Sequence, residues 1–170
     1  MTALADLLIA RIRESGPITI ADFMADCLTH PQHGYYATRD PFGAKGDFTT
    51  APEISQMFGE LVLLGLAQAW LDQGAPTPVH LVELGPGRGT LMSDLLRATR
   101  AVPGFQAAAQ VHQVETSPTL RDRQSQTIAS PITHHDGLDT VPEGPLLLIA
   151  NEFFDAMPTR QFQRDGDGWR

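Results

Sequence analysis

Hydrophobic residues follow helical spacing in three places within the first 75 positions. The first pattern ends at Gly16, and the second begins at Thr19, which is placed to cap a helix. The third begins at Thr50, which forms a capping-box pattern with Glu53. The expected buried sides consist of Leu4, Leu7, Leu8 and Ile12 in the first helix, Phe23, Met24 and Cys27 in the second, and Ile54, Met57, Phe58, Leu61, Val62, Leu66, Ala69 and Trp70 in the third.

The pattern changes at residue 78, where strands begin to alternate with helices. Apolar runs predict strands at 79–84, 110–115, 128–134 and 146–150, and helices at 90–100 and 118–125. Such alternation is typical of a parallel, doubly wound sheet, so the fold class is α/β and Rossmann-like. The most apolar run, 146–150, is expected to be buried on both faces. We predict a helical region at 1–75, preceding a sheet domain at 76–170.

The last residues form half of a hairpin. Alternation over 159–164 predicts a strand, the residues 165–168 form a strong turn signal, and 169–170 begin a returning strand. Because the second arm is missing, we expect these 170 residues to be a fragment of a longer protein.

Composition and charge narrow the class of protein. The chain is 42% hydrophobic and 19% charged, which is typical of a globular protein, and it has no apolar run long enough to span a membrane. Twelve basic against 20 acidic residues give a net charge of −8, which disfavours nucleic acid as a partner. Cys27 is the only cysteine, and the first residues are not typical of a signal or transit peptide, so a cytoplasmic location is the default expectation.

A glycine-rich turn follows the first strand of the sheet. Residues 83–90 read Glu-Leu-Gly-Pro-Gly-Arg-Gly-Thr and lead into a helix, so backbone N–H groups and a helix N-terminus surround a possible ligand. Gly85, Gly87 and Gly89 allow the main chain to approach that ligand closely, and Pro86 favours a wide turn. Their spacing differs from the dinucleotide pattern G-x-G-x-x-G, which disfavours a nicotinamide-dependent oxidoreductase.

Acidic residues at the strand ends point to the ligand. Glu83 precedes the turn, where a carboxylate can meet an amino group, and Glu115 ends the next strand, where it can accept hydrogen bonds from ribose hydroxyls. S-adenosylmethionine carries an ammonium, a sulfonium and a ribose diol but no phosphate, so it suits an acidic loop. Asp136 is a candidate adenine contact, with an ordinary Asp-Gly turn as the alternative. His134 and His135 lack further ligands at suitable spacing, and no metal site is predicted.

Three motifs resemble the MidA-type S-adenosylmethionine-dependent methyltransferases, which include arginine methyltransferases of mitochondrial complex I assembly and their bacterial relatives. These motifs are Gly-Asp-Phe-Thr-Thr-Ala-Pro-Glu-Ile-Ser at 46–55 with Phe-Gly-Glu at 58–60, the glycine-rich turn at 83–91, and Asn-Glu-Phe-Phe-Asp-Ala-Met-Pro at 151–158. The resemblance implies the N-terminal half of a class I methyltransferase fold, S-adenosylmethionine as cofactor, and a protein arginine as acceptor, on a complex I subunit in the mitochondrial members. A eukaryotic member would lie in the mitochondrial matrix.

Candidate catalytic residues lie in the third motif. Asn151 and Glu152 follow the strand at 146–150, at the edge of an open sheet where ligands bind. If this segment is helical, Asp155 shares a face with Glu152. We hypothesise that Glu152 binds the guanidinium of the acceptor arginine, with Asp155 or Glu53 as a second carboxylate. In the alternative, Asn151 binds an amino group, and the acceptor is a different nitrogen.

The long loop at 29–49 is expected to be functional because of its length. Asp47 and Thr49 are expected to lie in the segment of this loop that covers the cofactor. The competing interpretation of the whole chain is a non-catalytic scaffold that docks on an assembling partner. The isolated fragment is expected to be inactive and prone to form oligomers, because the strand at 146–150 would lack neighbours.

Overall fold

The computed structural model describes residues 2–38 and 49–169. Within this part the chain forms eight α-helices, six strands and three short 3₁₀ segments. The helices are α1 Ala3–Ser15, α2 Ile20–Thr29, α3 Tyr35–Thr38, α4 Ala51–Ile54, α5 Gln56–Asp72, α6 Thr90–Ala98, α7 Phe105–Ala108 and α8 Pro118–Thr127. The strands are β1 Val79–Leu84, β2 Ala109–Val114, β3 Ile132–His135, β4 Leu146–Ala150, β5 Arg164–Asp165 and β6 Gly168–Trp169, and the 3₁₀ segments are Thr99–Ala101, Leu138–Thr140 and Phe154–Ala156.

A four-stranded parallel sheet in the order β3-β2-β1-β4 confirms the predicted α/β class. Strand β1 is central, and all six of its residues are buried. Its odd-numbered residues face helices α5 and α6, where Leu81 packs with Leu63, Met92 and Leu95. The parallel arrangement places the carboxyl ends of all four strands at one edge.

Strand β4 differs from the expectation. It pairs only with β1 among the described residues, and its burial alternates, with Leu146 44% and Leu148 36% exposed. The prediction that this run is buried on both faces was therefore wrong. An apolar run alone cannot distinguish a central strand from an edge strand, because the neighbours decide exposure.

The cap of α2 follows the sequence, whereas the burial of this helix does not. The Thr19 hydroxyl accepts a hydrogen bond from the Asp22 N–H and caps α2, as predicted. No residue of α2 is fully buried, however: Phe23 is 47% exposed and Cys27 is half-buried. The pKa of the Cys27 thiol is nevertheless raised, mainly by burial and to a smaller extent by the charge of Asp26, and this disfavours the thiolate.

The buried side of α5 agrees with the predicted one only in part. Trp70 is buried, and four more of the predicted residues pack against the core: Phe58, Val62, Leu66 and Ala69. Ile54, which precedes α5, and Met57 are 71% and 63% exposed, whereas Leu63 is completely buried. The reason is Gly59, where an added Cβ would lie 2.8 Å from the Cβ of Asp94 on α6. A nearly uniformly apolar helix has no strongly preferred side, so this close approach determines which side is buried.

The C-terminal hairpin is confirmed only around its turn. Strands β5 and β6 pair antiparallel across Asp165 and Gly168. The preceding residues 159–163 are not a strand, which corrects the longer strand predicted there.

Two compact units divide the chain. One contains the described residues of Met1–Pro41 and Phe154–Arg170, and the other those of Phe42–Phe153. Helix α5 and the sheet belong to the same unit, and the boundary between 1–75 and 76–170 stays a prediction. No helix in the described ranges is long and apolar enough to cross a membrane.

Three buried histidines form a hydrogen-bonded ladder across the sheet. His80 Nδ1 lies 3.0 Å from His112 Nε2, and His112 Nδ1 lies 2.9 Å from His135 Nε2. His135 Nδ1 in turn lies 2.9 Å from the Thr140 hydroxyl, which donates to the carbonyl of Gly137. The ladder therefore runs from the start of β1 to the turn that follows β3.

The ladder has a defined polarity. A neutral imidazole has one donor and one acceptor, and the Thr140 hydroxyl uses its hydrogen on Gly137. The three rings must then all carry the hydrogen on Nδ1, each donating to the next. Burial, followed by the neighbouring His135 and His80 rings, holds the pKa of His112 below its ordinary value of 6.5.

We predict that stability decreases in acid because of this ladder. As the pH falls below about 6.5, His112 takes up a proton in the unfolded chain at a higher pH than in the folded protein. The contribution of His112 to the free energy of unfolding is therefore complete above about pH 6.5, and it decreases as the pH falls towards the lowered pKa of the folded state. Replacement His112→Gln should cost about 1–3 kcal/mol near neutral pH and flatten this decline. Denaturant unfolding between about pH 7.5 and 5.5 measures both effects, with His33→Gln, outside the ladder, as control. An unchanged pH slope in His112→Gln would contradict the prediction.

Candidate functional site

The turn between β1 and α6 forms the centre of the candidate site. Gly85, Gly87 and Gly89 have φ values of +60°, +54° and +82°, a left-handed conformation that residues with a side chain rarely adopt. The Gly89 N–H donates to the Pro86 carbonyl at 2.9 Å, which closes the turn. The sequence prediction of a wide, glycine-dependent turn feeding a helix agrees with this geometry.

Close contacts surround the turn on two sides. A Cβ at Gly85 would collide with the ring of Phe153, so the motif at 151–158 begins against the glycine-rich turn. At Gly89, an added Cβ would lie 3.1 Å from the side chain of Ile128, which follows α8. The glycines thus serve packing within the protein as well as access for a ligand.

A row of polar side chains lies at the carboxyl ends of three strands. Glu83 of β1 stands opposite Gln113 of β2, which stands opposite His134 of β3. Glu83 is 3% exposed and Gln113 is completely buried. Among the described residues, Glu83 Oε2 and both polar atoms of the Gln113 side chain have no hydrogen-bond partner of normal geometry.

Burial raises the pKa of Glu83 to about 8, with the neighbouring Gln113 acting in the opposite direction. The carboxyl is therefore largely protonated near neutral pH in the ligand-free protein. An unsatisfied buried carboxyl is costly, and a cationic group beside it would both satisfy the oxygen and ionise the acid.

Glu115 and Asp136 are connected through Arg121. Glu115 Oε1 accepts a hydrogen bond from the Ser117 N–H at 2.9 Å, and burial is the main cause that raises the pKa of this carboxyl. Arg121 donates to the Glu115 carbonyl and to the Asp136 carboxylate, each at 2.6 Å. The Asp136 side chain is 84% exposed, so it lies at the surface of the site.

The motif at 46–55 contacts the site through Glu53. Thr90, the first residue of α6, donates to Glu53 Oε1 at 2.7 Å. The predicted capping box at Thr50 was wrong, because Thr50 makes no side-chain capping bond and Glu53 binds Thr90 instead. Thr49 is exposed, and Asp47 lies outside the described residues.

The proposed catalytic residues do not share a helix. Asn151 and Glu152 form a bend after β4, and the only helical turn is the 3₁₀ segment Phe154–Ala156. The helical condition under which Glu152 and Asp155 would share a face is therefore not met. Glu152 has φ +48°. Asp155 belongs to the other compact unit. There the pKa of Tyr36 is raised, first by burial and second by the charge of Asp155.

Gln124 is a site residue that the sequence did not indicate. It is completely buried in a strongly polar helix, and its Nε2 donates to the Gly87 carbonyl at 2.8 Å. His134 Nε2 lies 2.9 Å from its Oε1. Periodicity gave no signal for it, because α8 has no apolar side.

The two adjacent histidines cannot form a shared metal site. His134 lies on the helical face and His135 joins the ladder on the opposite face, as strand alternation requires. Within residues 2–38 and 49–169, no group of three or more His, Cys, Asp or Glu side chains is arranged to hold a metal ion.

A parallel sheet whose central strand runs into a glycine-rich turn, with acids at the ends of two neighbouring strands, defines a nucleoside-binding α/β protein. A family model described as an S-adenosyl-L-methionine-dependent methyltransferase matches residues 62–170. The chain belongs to this methyltransferase family, which confirms the predicted resemblance and fold class.

Similar proteins agree with this assignment. The chain is 41% identical over 193 residues to the mitochondrial protein arginine methyltransferase NDUFAF7 homolog of Drosophila melanogaster, covering 99% of this chain and 44% of that protein. It is 39% identical over 188 residues to the human mitochondrial protein arginine methyltransferase NDUFAF7, covering 96% and 43%. A crystal structure from Burkholderia thailandensis, bound to S-adenosyl-homocysteine, matches with a TM-score of 0.77 and 32% identity over 98% of this chain and 45% of that one.

We predict that the backbone at Glu152 is strained. A residue with a Cβ in the left-handed region costs about 1 kcal/mol relative to glycine, so Glu152→Gly should be more stable than Glu152→Ala by roughly that amount. At Glu143, an exposed glutamate whose φ is not positive, the order of the same two variants should be reversed. Denaturant unfolding measures the differences. Equal stability of the two Glu152 variants would rule out strain.

Proposed function

We propose that this chain contributes the cofactor-binding half of an S-adenosylmethionine-dependent protein arginine N-methyltransferase. The observation that carries the proposal is the buried Glu83 carboxyl, whose Oε2 has no hydrogen-bond partner among the described residues, just before a turn of three left-handed glycines. The names of the mitochondrial relatives support arginine as acceptor. Because the chain spans about 44% of these relatives, the activity is proposed for the whole protein.

The residues present suit this cofactor. The ammonium of S-adenosylmethionine would satisfy Glu83 Oε2, and its ribose hydroxyls would lie within reach of Glu115. The left-handed glycines of the turn leave room for a ligand to approach the backbone closely. Asp136 and its partner Arg121 would bound the adenine side. A nicotinamide dinucleotide fits less well, because its pyrophosphate would approach acidic side chains.

The chain's own residues would act mainly by positioning. S-adenosylmethionine supplies a methyl group already activated on a sulfonium, so the protein needs to orient the acceptor and exclude water. A guanidinium keeps its proton in water, and a carboxylate must hold it and accept the proton that is lost. We assign this role to Glu152, with Asn151 beside it. Methylation at the normal rate by Glu152→Gln in the full-length protein would contradict the assignment.

Finer assignments follow from the relatives. We infer a protein substrate, with a respiratory complex I subunit as the substrate class suggested by the family resemblance. A mitochondrial location is proposed if the protein is eukaryotic, and the mitochondrial names of the eukaryotic relatives support it. A cytoplasmic location is proposed for a bacterial protein.

Binding of S-adenosyl-homocysteine tests the cofactor. We predict saturable binding by calorimetry, weakened at least about tenfold by Glu115→Ala because two hydrogen bonds to the ribose are lost. Glu143→Ala, which removes an exposed glutamate elsewhere, should bind as the unmodified protein does.

NAD serves as the ligand control. Tighter binding of NAD than of S-adenosyl-homocysteine by the full-length protein would refute the proposed cofactor. Normal cofactor binding without methyl transfer to any arginine substrate would instead favour the scaffold interpretation.

A further inference from the structure

Helix α8 is mostly polar, yet one of its polar side chains lies in the interior against the glycine-rich turn. Gln124 is completely buried; its Nε2 lies 2.8 Å from the Gly87 carbonyl and its Oε1 lies 2.9 Å from His134 Nε2. Its side chain is also a hydrogen-bonding neighbour of the Glu115 carboxylate. The backbone of α8 also comes close at this point, since an added Cβ at Gly89 would lie 3.4 Å from the Gln124 Cα.

The chemistry of these contacts determines the orientation of the amide. A carbonyl oxygen can only accept, so the amino group of Gln124 must face Gly87. Its oxygen then faces His134, which must carry its hydrogen on Nε2. His134 therefore keeps Gln124 from turning over, and Gln124 holds the Gly87 carbonyl towards α8.

Holding that carbonyl also fixes the direction of the next N–H group. In a trans peptide the C=O and N–H point in opposite directions, so the N–H of Arg88 points away from α8. Gly87 has φ +54°, and a glycine lacks the side chain that would oppose rotation of this peptide plane. The hydrogen bond from Gln124 supplies the missing restraint.

We propose that Gln124 is a positioning residue for the cofactor loop, oriented by His134, and that it sets the affinity for S-adenosylmethionine by keeping the 87–88 peptide from turning over. This inference rests on the proposed function of the glycine-rich turn as the cofactor site. Gln124 acts through the turn and is not assigned a contact with the cofactor.

Two substitutions of similar size separate this role from simple filling of space. Gln124→Met removes the donor at every pH. Gln124→Glu keeps an acceptor for His134, but its carboxylate repels the Gly87 carbonyl and favours the reversed peptide. Burial and the facing Gly87 carbonyl favour the protonated form of this glutamic acid as the pH falls, and that form regains an O–H donor for Gly87.

The pH dependence must be corrected for the other charged groups near this position. These are His134 and its neighbour His135 on β3, Glu115 at the end of β2, and Arg121 and Asp122 on α8. Each affinity is therefore expressed as the ratio of the variant's Kd to that of the unmodified protein at the same pH.

The experiment is calorimetric titration of S-adenosyl-homocysteine into the full-length protein at about pH 6 and pH 9, with folding checked by circular dichroism. Gln124→Met should weaken binding at least about tenfold at both values. Gln124→Glu should weaken binding by a similar factor at pH 9. At pH 6 its Kd should return to within about threefold of the Kd of the unmodified protein.

Gln106→Met is the matched control. Gln106 also donates its amide to a backbone carbonyl, that of Leu96 at 3.1 Å, but away from the turn, so its loss should leave the Kd within about twofold. The inference is overturned if Gln124→Met binds within twofold of the unmodified protein, or if Gln124→Glu recovers no affinity at pH 6. Absence of binding by the unmodified protein would instead refute the proposed function.

Discussion

The pairing of β1 with a parallel strand on each side is the constraint on which the site depends. Register with β2 and β4 buries all six residues of β1 and brings three strand ends to one edge. The chain must leave β1 at that edge, turn sharply and begin α6, and the left-handed glycines make this turn possible. Glu83 is the last polar residue before the turn, so the same pairing that forms the core also buries its carboxyl.

Buried polar side chains occupy both faces of the sheet, and the hydrogen bonds on one face are separate from those on the other. On the helical face, Glu83, Gln113 and His134 lie in register, and Gln124 connects His134 to the turn. On the opposite face, the histidine ladder ends at the turn after β3. Adjacent residues of one short strand, His134 and His135, thus restrain two different loops at the carboxyl edge. Satisfied buried hydrogen bonds of this kind stabilise one arrangement of a loop over others.

The sequence predicted those features that depend on local chemistry. The four parallel strands, the Thr19 cap and the glycine-rich turn each have a pattern that requires only neighbouring residues. Prediction from the sequence failed where residues distant along the chain decide the outcome. The buried side of α5 depends on the close approach of Gly59 to Asp94, and the exposure of β4 depends on which strands flank it.

Within the site, the candidate acids Glu83 and Glu115 could be selected because strand ends are recognisable. Gln124 and the ladder could not, because a buried glutamine in a polar helix and histidines in separate strands have no pattern along the chain. The helical condition considered for Glu152 and Asp155 is not met because the backbone turns into the left-handed region at Glu152, which residue type alone does not indicate.

The central claim is that the buried Glu83 receives the ammonium of the cofactor, and proton release on binding tests it most directly. With its pKa raised to about 8, Glu83 holds a proton near neutral pH and must lose it when a cation binds beside it. S-adenosyl-homocysteine is titrated at about pH 7 in two buffers that differ in ionisation enthalpy, with Glu83→Gln as control. We predict that close to one proton is released, and none in the variant. Binding without proton release would contradict the account.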